Sequence, residues 1–215
     1  MMLCEICQSS RTALWASVAT YRYYRCKTCR YLFVHPKPSL RELEEYYKDA
    51  MFYRTAESQE SRLVSEAAGR LTLLSRLAEQ YGFEKRLLDV GCASGIFLEQ
   101  AQKMGWHATG IEFSPALVAK ARSRGLHIIE GWLEDISQNS TYSVVTAWEV
   151  IEHALHPVKL LTSLRSCVSQ GRLIALSTPL GTGLPARLLR SNFPMICPPA
   201  HLNIFSKKAL LMLAS

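Results

Sequence analysis

Four of the seven cysteines fall in two pairs, Cys4-x-x-Cys7 and Cys26-x-x-Cys29, with 18 residues between the pairs. Paired thiols at that spacing are ligands for a tetrahedral Zn²⁺, each pair carried on a tight turn. His35 is an alternative ligand. Further along, Asp89-Val90-Gly91-Cys92-Ala93-Ser94-Gly95 sets a carboxylate and two glycines where an apolar run gives way to a helical pattern. That arrangement lets backbone N–H groups approach a ligand at a helix N-terminus. Glu112 closes the next apolar run, 23 residues after Asp89, where a carboxylate can accept from both hydroxyls of a ribose. Glu149, Glu152 and His153 then lie close together in EVIEH, and His201 follows in Pro198-Pro199-Ala200-His201.

This acid–histidine group has three readings. Glu149, Glu152, His153 and His201 suit a divalent Mg²⁺, Mn²⁺ or Zn²⁺ that would lower the pKa of a bound hydroxyl. Alternatively, His153 or His201 is a general base that deprotonates an acceptor. In the third reading Glu152 and His153 only pin the turn. If the segment begins a helical turn, Glu149, Glu152 and His153 share one face.

Positioning these groups requires a scaffold, and the pattern supplies one. Residues 1–38 form a cysteine- and aromatic-rich module in which Tyr21, Tyr23, Tyr24, Tyr31 and Phe33 read as a small core and docking face or, alternatively, as a platform for stacking RNA bases. Residues 39–84 read as a helical connector. Ser39-Leu40-Arg41-Glu42 is a capping box, and Leu63, Ala67, Leu71, Leu74 and Ala78 line one face of a second helix over residues 60–81, stopped by Gly82. Tyr46, Tyr47 and Tyr53 either pack this connector or form a lid. From residue 85 to 215, strands at 86–90, 107–112, 127–130, 143–147 and 173–177 alternate with helices at 96–104, 115–124 and 158–168. A last helix starts at Ser206. Such alternation predicts right-handed crossovers and a parallel sheet covered on both faces.

Composition narrows the function classes. The chain has 215 residues, 48% apolar and 20% charged, which excludes wholesale disorder. No apolar run reaches the roughly 18–20 residues of a membrane span. Met1-Met2-Leu3-Cys4-Glu5 has neither a basic nor an apolar leader segment, so the expected address is the cytoplasm. An odd number of cysteines there argues for metal rather than disulfides. Cys92, Cys167 and Cys197 share no ligand spacing and read as buried or incidental thiols. A net charge of +7 suits a phosphate-bearing small molecule as well as RNA. The glycine loop is not a Walker A loop, because no Gly-Lys-Ser/Thr follows it.

Residues 86–178 resemble class I S-adenosylmethionine-dependent methyltransferases. The motifs are LLDVGCASG, GIEFSPALVAKAR, EGWLEDI, VVTAWEVIEH and a closing STP. The resemblance implies a Rossmann-like α/β sheet. It implies that Asp89, Gly91, Cys92, Ala93 and Gly95 line a loop around the methionine part of the cofactor. Glu112 would hold the ribose, and Phe113 would flank the adenine. Trp132, Leu133 and Glu134 would lie near the adenine edge, and Trp148 and Glu149 would border the transferring methyl. Where the family usually has an Asp after the glycine of its third motif, this chain has Trp132. The segments RCKTCRYLFVHPKPSLRELEEYY and PPAHLNIFSKKAL are also similar to parts of bacterial methyltransferases of this type. The resemblance extends the metal reading to O-methyltransferases of quinone-precursor catechols and of RNA 3′-terminal ribose. It predicts a sheet without the family's last two strands, as in a truncated gene product or a sheet whose open edge is covered by another chain. The expected acceptor is a small molecule: a sugar, a lipid-linked saccharide or a quinone precursor. The alternatives are RNA 2′-O-methylation and a non-catalytic scaffold that binds a partner through the ribbon.

Overall fold

The computed structural model describes residues 2–48, 60–133, 141–181 and 183–215. In chain order the elements are β1 (Thr12–Val18), β2 (Tyr21–Cys26), β3 (Leu32–Val34), α1 (Leu40–Lys48), α2 (Glu60–Tyr81), β4 (Arg86–Val90), α3 (Ile96–Lys103), β5 (His107–Glu112) and α4 (Pro115–Ser123). They continue with β6 (His127–Glu130), β7 (Tyr142–Trp148), α5 (Pro157–Cys167), β8 (Val168–Ser177), α6 (Leu184–Leu189), β9 (Asn203–Ile204) and α7 (Lys207–Ala214). They fall into two compact units, Tyr47–Trp148 with Thr162–Leu176, and Met1–Tyr46 with Glu149–Leu161 and Ser177–Ser215. No helix among the described residues is long and apolar enough to cross a membrane.

The first of these units holds a five-stranded sheet in the order β6-β5-β4-β7-β8. β4 pairs in parallel with both β5 and β7, and β5 with β6. The connection reverses direction between β5 and β7 around the central β4, which makes the carboxyl end of β4 a topological switch point, the usual ligand mouth of such sheets. Leu87, Leu98, Ala101, Ala108, Val118 and Val144 fill the core, and α2 covers it with Ala67, Leu71, Leu74 and Ala78. Leu63, expected on that face, is only half-buried. Ser75 shares the face because its hydroxyl accepts from the buried Trp106 indole at 3.1 Å. The α2 stop is as expected: Gly82 has φ +60, and Phe83 N–H closes back on Ala78 O at 3.1 Å.

The other unit is built on a four-stranded antiparallel sheet, β1-β2-β3-β9. Its first three strands belong to the cysteine-rich segment. The fourth comes from the far end of the chain, with Leu32 opposite Ile204 and Phe33 opposite Asn203. α1 begins with the capping box: Ser39 N–H donates to Glu42 Oε2 at 2.7 Å, and Glu42 N–H to Ser39 Oγ at 3.3 Å.

Candidate active site

The β4–α3 turn is shaped by left-handed residues. Gly91, Ala93 and Gly95 have φ of +72, +48 and +80. At Gly95 a Cβ would also lie 2.2 Å from Leu126 Cδ1, so both conformation and space require glycine. Gly91 and Cys92 N–H both donate to Ile111 O, at 2.9 and 3.0 Å, tying the turn to the end of β5. Cys92 is buried under the turn, so it contributes backbone and packing rather than a reactive thiol. Burial pushes that thiol up, and nearby Asp89 and Glu112 add to the effect.

Two carboxylates flank this turn. Asp89 is buried and accepts from Thr146 Oγ1 at 2.6 Å. Burial pushes it up to about 7, against the pull of the Thr146 hydroxyl and the Arg70 guanidinium. Glu112 is 5% exposed. Its Oε2 accepts from Ala93 N–H at 3.1 Å and its Oε1 from Ser114 N–H at 2.9 Å. Burial raises its pKa, opposed by the N–H groups of Ser114, Ala93 and Phe113. A carboxylate offers about four lone-pair sites. Up to three are used by these N–H groups, so Glu112 braces the turn and keeps acceptor capacity for a further hydroxyl.

The aromatic groups gather in the same unit. Phe113 and Trp132 stack face to face, with centroids 4.5 Å apart and planes 7° off parallel. Tyr47 meets the Phe113 ring edge-on at 5.7 Å. A base slotted between Phe113 and Trp132 requires the rings to part to about 7 Å, two van der Waals contacts. A base on the outer face of Trp132, which is 46% exposed, requires no such movement. Leu133 is buried beside them, whereas Glu134 and Tyr53 lie outside the described residues. Trp148 ends β7 under the Arg70 guanidinium, 4.5 Å from the ring centroid, and against Phe97 at 5.4 Å. Its buried Nε1–H has no partner among the described residues.

The acid–histidine group lies in the other unit. It is not one helical face. Glu149 takes a left-handed φ of +54, and only then do His153 N–H and Ala154 N–H close short turns on Val150 O and Ile151 O. The helical periodicity fails because the left-handed residue is followed by short turns closed three residues back, not by a helix. Glu149 accepts from Ser177 Oγ at 2.6 Å, and its carboxylate still lies near enough to Glu152 to act on it. Glu152, His153 and His201 do converge, with one ligand atom of each within 4.8 Å of the others. Glu152 is 1% exposed, and neither of its oxygens has a hydrogen-bond partner among the described residues. Burial, then the charge of Glu149, pushes it up to about 8. Burial also lowers both histidines, His153 to about 4 with His201 beside it contributing. His153 Nδ1 faces Ala200 O at 2.8 Å and His201 Nδ1 faces Met195 O at 3.0 Å. A carbonyl only accepts, so Nδ1 of each ring is the donor in these two contacts; the Glu149 carbonyl also lies against the His153 ring.

The four paired cysteines of that unit meet. Cys4 and Cys29 sulfurs are 3.6 Å apart, Cys7 and Cys26 are 3.5 Å apart, and all four lie within 4.8 Å of one another. With Zn–S bonds of about 2.3 Å, a tetrahedral centre has S···S edges of about 3.8 Å, which these distances match. The two turns are copies: Gln8 N–H returns to Cys4 O and Arg30 N–H to Cys26 O, at 2.8 and 3.0 Å. Gln8 and Arg30 are both left-handed, at φ +56 and +69. His35 is exposed, with its ring edge on Tyr24, and does not join the sulfurs.

A family model described as a methyltransferase domain matches residues 59–214. The chain belongs to the methyltransferase-domain family. Among curated relatives of this methyltransferase domain, the ubiquinone biosynthesis O-methyltransferase of Aeromonas salmonicida is 34% identical over 107 residues, 45% of this chain and 44% of that one. The mitochondrial ubiquinone biosynthesis O-methyltransferase of Schizosaccharomyces pombe is 33% identical over 114 residues, 49% and 41% of the two chains. The chain thus spans about half the length of the curated relatives it matches. Its fold is that of the plantazolicin methyltransferase BpumL, solved with SAH (TM-score 0.60, 17% identity, 80% of this chain and 71% of that one). A SAM-bound amino pentose methyltransferase of Micromonospora echinaspora also aligns, with TM-score 0.50 and 23% identity over 60% of this chain and 56% of that one.

Several groups in this methyltransferase domain carry no sequence signature. Thr146, Arg70 and Ser177 reach Asp89, Trp148 and Glu149 respectively, from strand or helix positions that read as scaffold. Asn203 is buried and sits in NIF, a segment too short to read as a strand. Only the match of PPAHLNIF to a family motif marked its neighbourhood.

Proposed function

We propose that this chain transfers a methyl group from S-adenosylmethionine to an oxygen of a small aromatic acceptor of the quinone-precursor type. The observation that carries the cofactor half is Glu112, anchored on the N–H groups of Ala93 and Ser114 beside a left-handed glycine turn at the sheet's switch point. The similarity to ubiquinone biosynthesis O-methyltransferases favours a phenolic acceptor over a sugar. The readings as an RNA 2′-O-methyltransferase and as a non-catalytic scaffold gain nothing from these relatives.

In this reading the cofactor supplies a methyl already activated on a sulfonium. Asp89, Gly91, Cys92, Ala93 and Gly95 wrap its amino-acid part. Glu112 accepts from a ribose hydroxyl, and Phe113, Trp132, Leu133 and Glu134 surround the adenine. Trp148 and Glu149 border the methionine moiety, where the Trp148 Nε1–H, without a partner among the described residues, is a ready donor. His153 or His201, held neutral by burial, takes the proton from the acceptor hydroxyl. The oxygen then attacks the methyl carbon, and the carbon–sulfur bond breaks to leave S-adenosylhomocysteine.

A second reading rests on its own observation. Glu152, His153 and His201 offer converging ligand atoms, and both imidazoles are oriented by Nδ1–H···O=C bonds, as is usual for metal-bound histidines. These residues fit Mg²⁺, Mn²⁺ or Zn²⁺, which would acidify the acceptor hydroxyl. We further propose that Cys4, Cys7, Cys26 and Cys29 hold a structural Zn²⁺.

Calorimetric titration of S-adenosylhomocysteine tests the cofactor half. Micromolar binding by the wild type, weakened at least tenfold in Glu112→Ala, is expected from loss of a charged hydrogen-bond acceptor. Absence of binding by the wild type overturns the proposal. An acceptor screen over catechols, with and without added Mg²⁺ or Mn²⁺, then separates the two roles of the cluster.

A further inference from the structure

The four-cysteine ribbon and the Glu152–His153–His201 cluster are joined by two tyrosine hydroxyls and one amide. Asn203 is fully buried in β9. Its Nδ2 donates to Ile151 O, Glu152 O and Ala154 O at 3.2, 3.3 and 2.6 Å, so one side chain gathers the carbonyls of the turn that carries Glu152 and His153. The N–H groups of Leu202 and Asn203 add bonds to Glu152 O at 2.8 and 3.0 Å. Asn203 Oδ1 accepts from the Tyr31 hydroxyl. That bond settles which way the amide faces, since a reversed amide would present oxygen to three carbonyls.

Tyr31 lies two residues after Cys29 and is fully buried. Its ring is held between Phe33 and Phe205, with centroids at 5.3 and 5.2 Å. Tyr23 makes the parallel link, its hydroxyl donating to His201 O at 2.5 Å. Ser206 closes the arrangement: its hydroxyl donates to Cys29 O at 2.5 Å and accepts from Ala209 N–H at 2.9 Å, capping α7 on the second cysteine turn. His153 and His201 are thus fixed by carbonyls of the loop 195–200, and that loop and the 151–154 turn are both fixed to the ribbon.

We propose that Tyr31 and Asn203 are positioning residues for the Glu152–His153–His201 cluster, holding its imidazoles in the Nδ1–H form from the ribbon side. The inference deepens the proposed function, since it rests on the reading that this cluster acts on the acceptor. A buried amide that serves three carbonyls does more than fill space: replacing its N–H groups with acceptors leaves those carbonyls unpaired and lets the turn open. The geometry that follows is that of Nε2 on His153 and His201 relative to Glu152.

The test reads the imidazoles directly, so it does not depend on acceptor turnover. Long-range ¹H–¹⁵N spectra of ¹⁵N-histidine-labelled, zinc-loaded full chain should give the Nδ1–H signature for His153 and His201, assigned by His153→Gln and His201→Gln. Tyr31→Phe deletes one hydroxyl and should shift the His153 ring nitrogens. Asn203→Asp should abolish the Nδ1–H signature of His153. In both variants, unchanged zinc content and unchanged S-adenosylhomocysteine affinity would separate a local effect from loss of fold. Should Asn203→Asp fail to fold, Tyr31→Phe decides alone. Histidine spectra of Tyr31→Phe coincident with the wild type overturn the proposal. So do shifts seen only in samples that have lost zinc. If the spectra shift as expected but no acceptor is methylated, the positioning role stands and the proposed acceptor chemistry fails.

Discussion

Asp89 and Thr146 are direct partners in the parallel β4–β7 register, and the Thr146 hydroxyl donates to the Asp89 carboxylate across it at 2.6 Å. The same hydroxyl lies 3.3 Å from Leu88 O. Asp89 is therefore held at the switch point by a neighbouring strand. Thr146→Val keeps the shape and removes the donor, which leaves a buried carboxylate unpartnered at a cost of about 1–3 kcal/mol. We expect a lower Tm and weaker S-adenosylhomocysteine binding, both largely restored in Thr146→Ser. Equal melting curves for the Val and Ser variants would show that the hydroxyl contributes nothing.

The Phe113–Trp132 stack gives an optical readout of the adenine site. Trp132 is the exposed member, so a base that lies on it or parts it from Phe113 changes its emission. Titration with S-adenosylhomocysteine should change tryptophan fluorescence in the wild type and much less in Trp132→Phe, where only the half-buried Trp148 remains beside the ligand. The Phe variant should retain binding within about tenfold, because a ring remains to stack on. A full fluorescence response from Trp132→Phe would move the adenine elsewhere.

What the sequence made legible were features with local rules. The strand–turn–helix at Asp89–Gly95, the carboxylate ending β5, the capping box at Ser39 and both cysteine turns were read at the right residues, because each is set by neighbours a few positions away. β8 runs from Val168, not from 173, because its exposed start, Gln170-Gly171-Arg172, carries no apolar alternation. The acid–histidine group is legible as a cluster but not in its backbone shape: the left-handed Glu149 breaks the helical spacing, and its carboxylate gains a bond from Ser177 Oγ that no local rule signals. The bonds from Tyr31 and Tyr23 to Asn203 and His201 span more than 170 residues and leave no periodic trace.

The cysteine centre predicts one zinc per chain. Burial pushes Cys4 up and Cys29 up to about 11, so these thiols stay neutral unless a cation draws out the thiolates. Metal analysis of the purified chain should give one equivalent of Zn²⁺, lost in Cys26→Ser with Cys29→Ser. Tyr31 follows directly on this turn and carries much of its unit's core, so the double variant should also lose several kcal/mol of stability. A zinc-free wild type with an unchanged Tm after chelation would refute a structural metal.

The cluster predicts opposite pH responses from two adjacent residues. Burial, then the nearby His201, holds His153 near 4, below its ordinary 6.5. Between those values the unfolded chain binds the proton and the folded chain does not, so stability is lost as pH falls from about 6.5 toward 4. Burial, then Glu149, raises Glu152 from 4.5 to about 8, so its contribution is full at acid pH and is lost as pH rises through that window. In metal-free buffer His153→Gln should flatten the acid side of the stability profile, by on the order of 3 kcal/mol at its limit. Glu152→Gln should gain on the wild type as pH rises toward 8. Denaturant titrations at a series of pH values measure both. Repeating them with saturating Mn²⁺ tests the metal reading: a bound cation stabilises the folded wild type and favours the ionised Glu152 carboxylate. The alkaline loss should then vanish in the wild type, and Mn²⁺ should do nothing for Glu152→Gln. An identical Mn²⁺ response in the two proteins would leave His153 and His201 to act without a metal, as general bases.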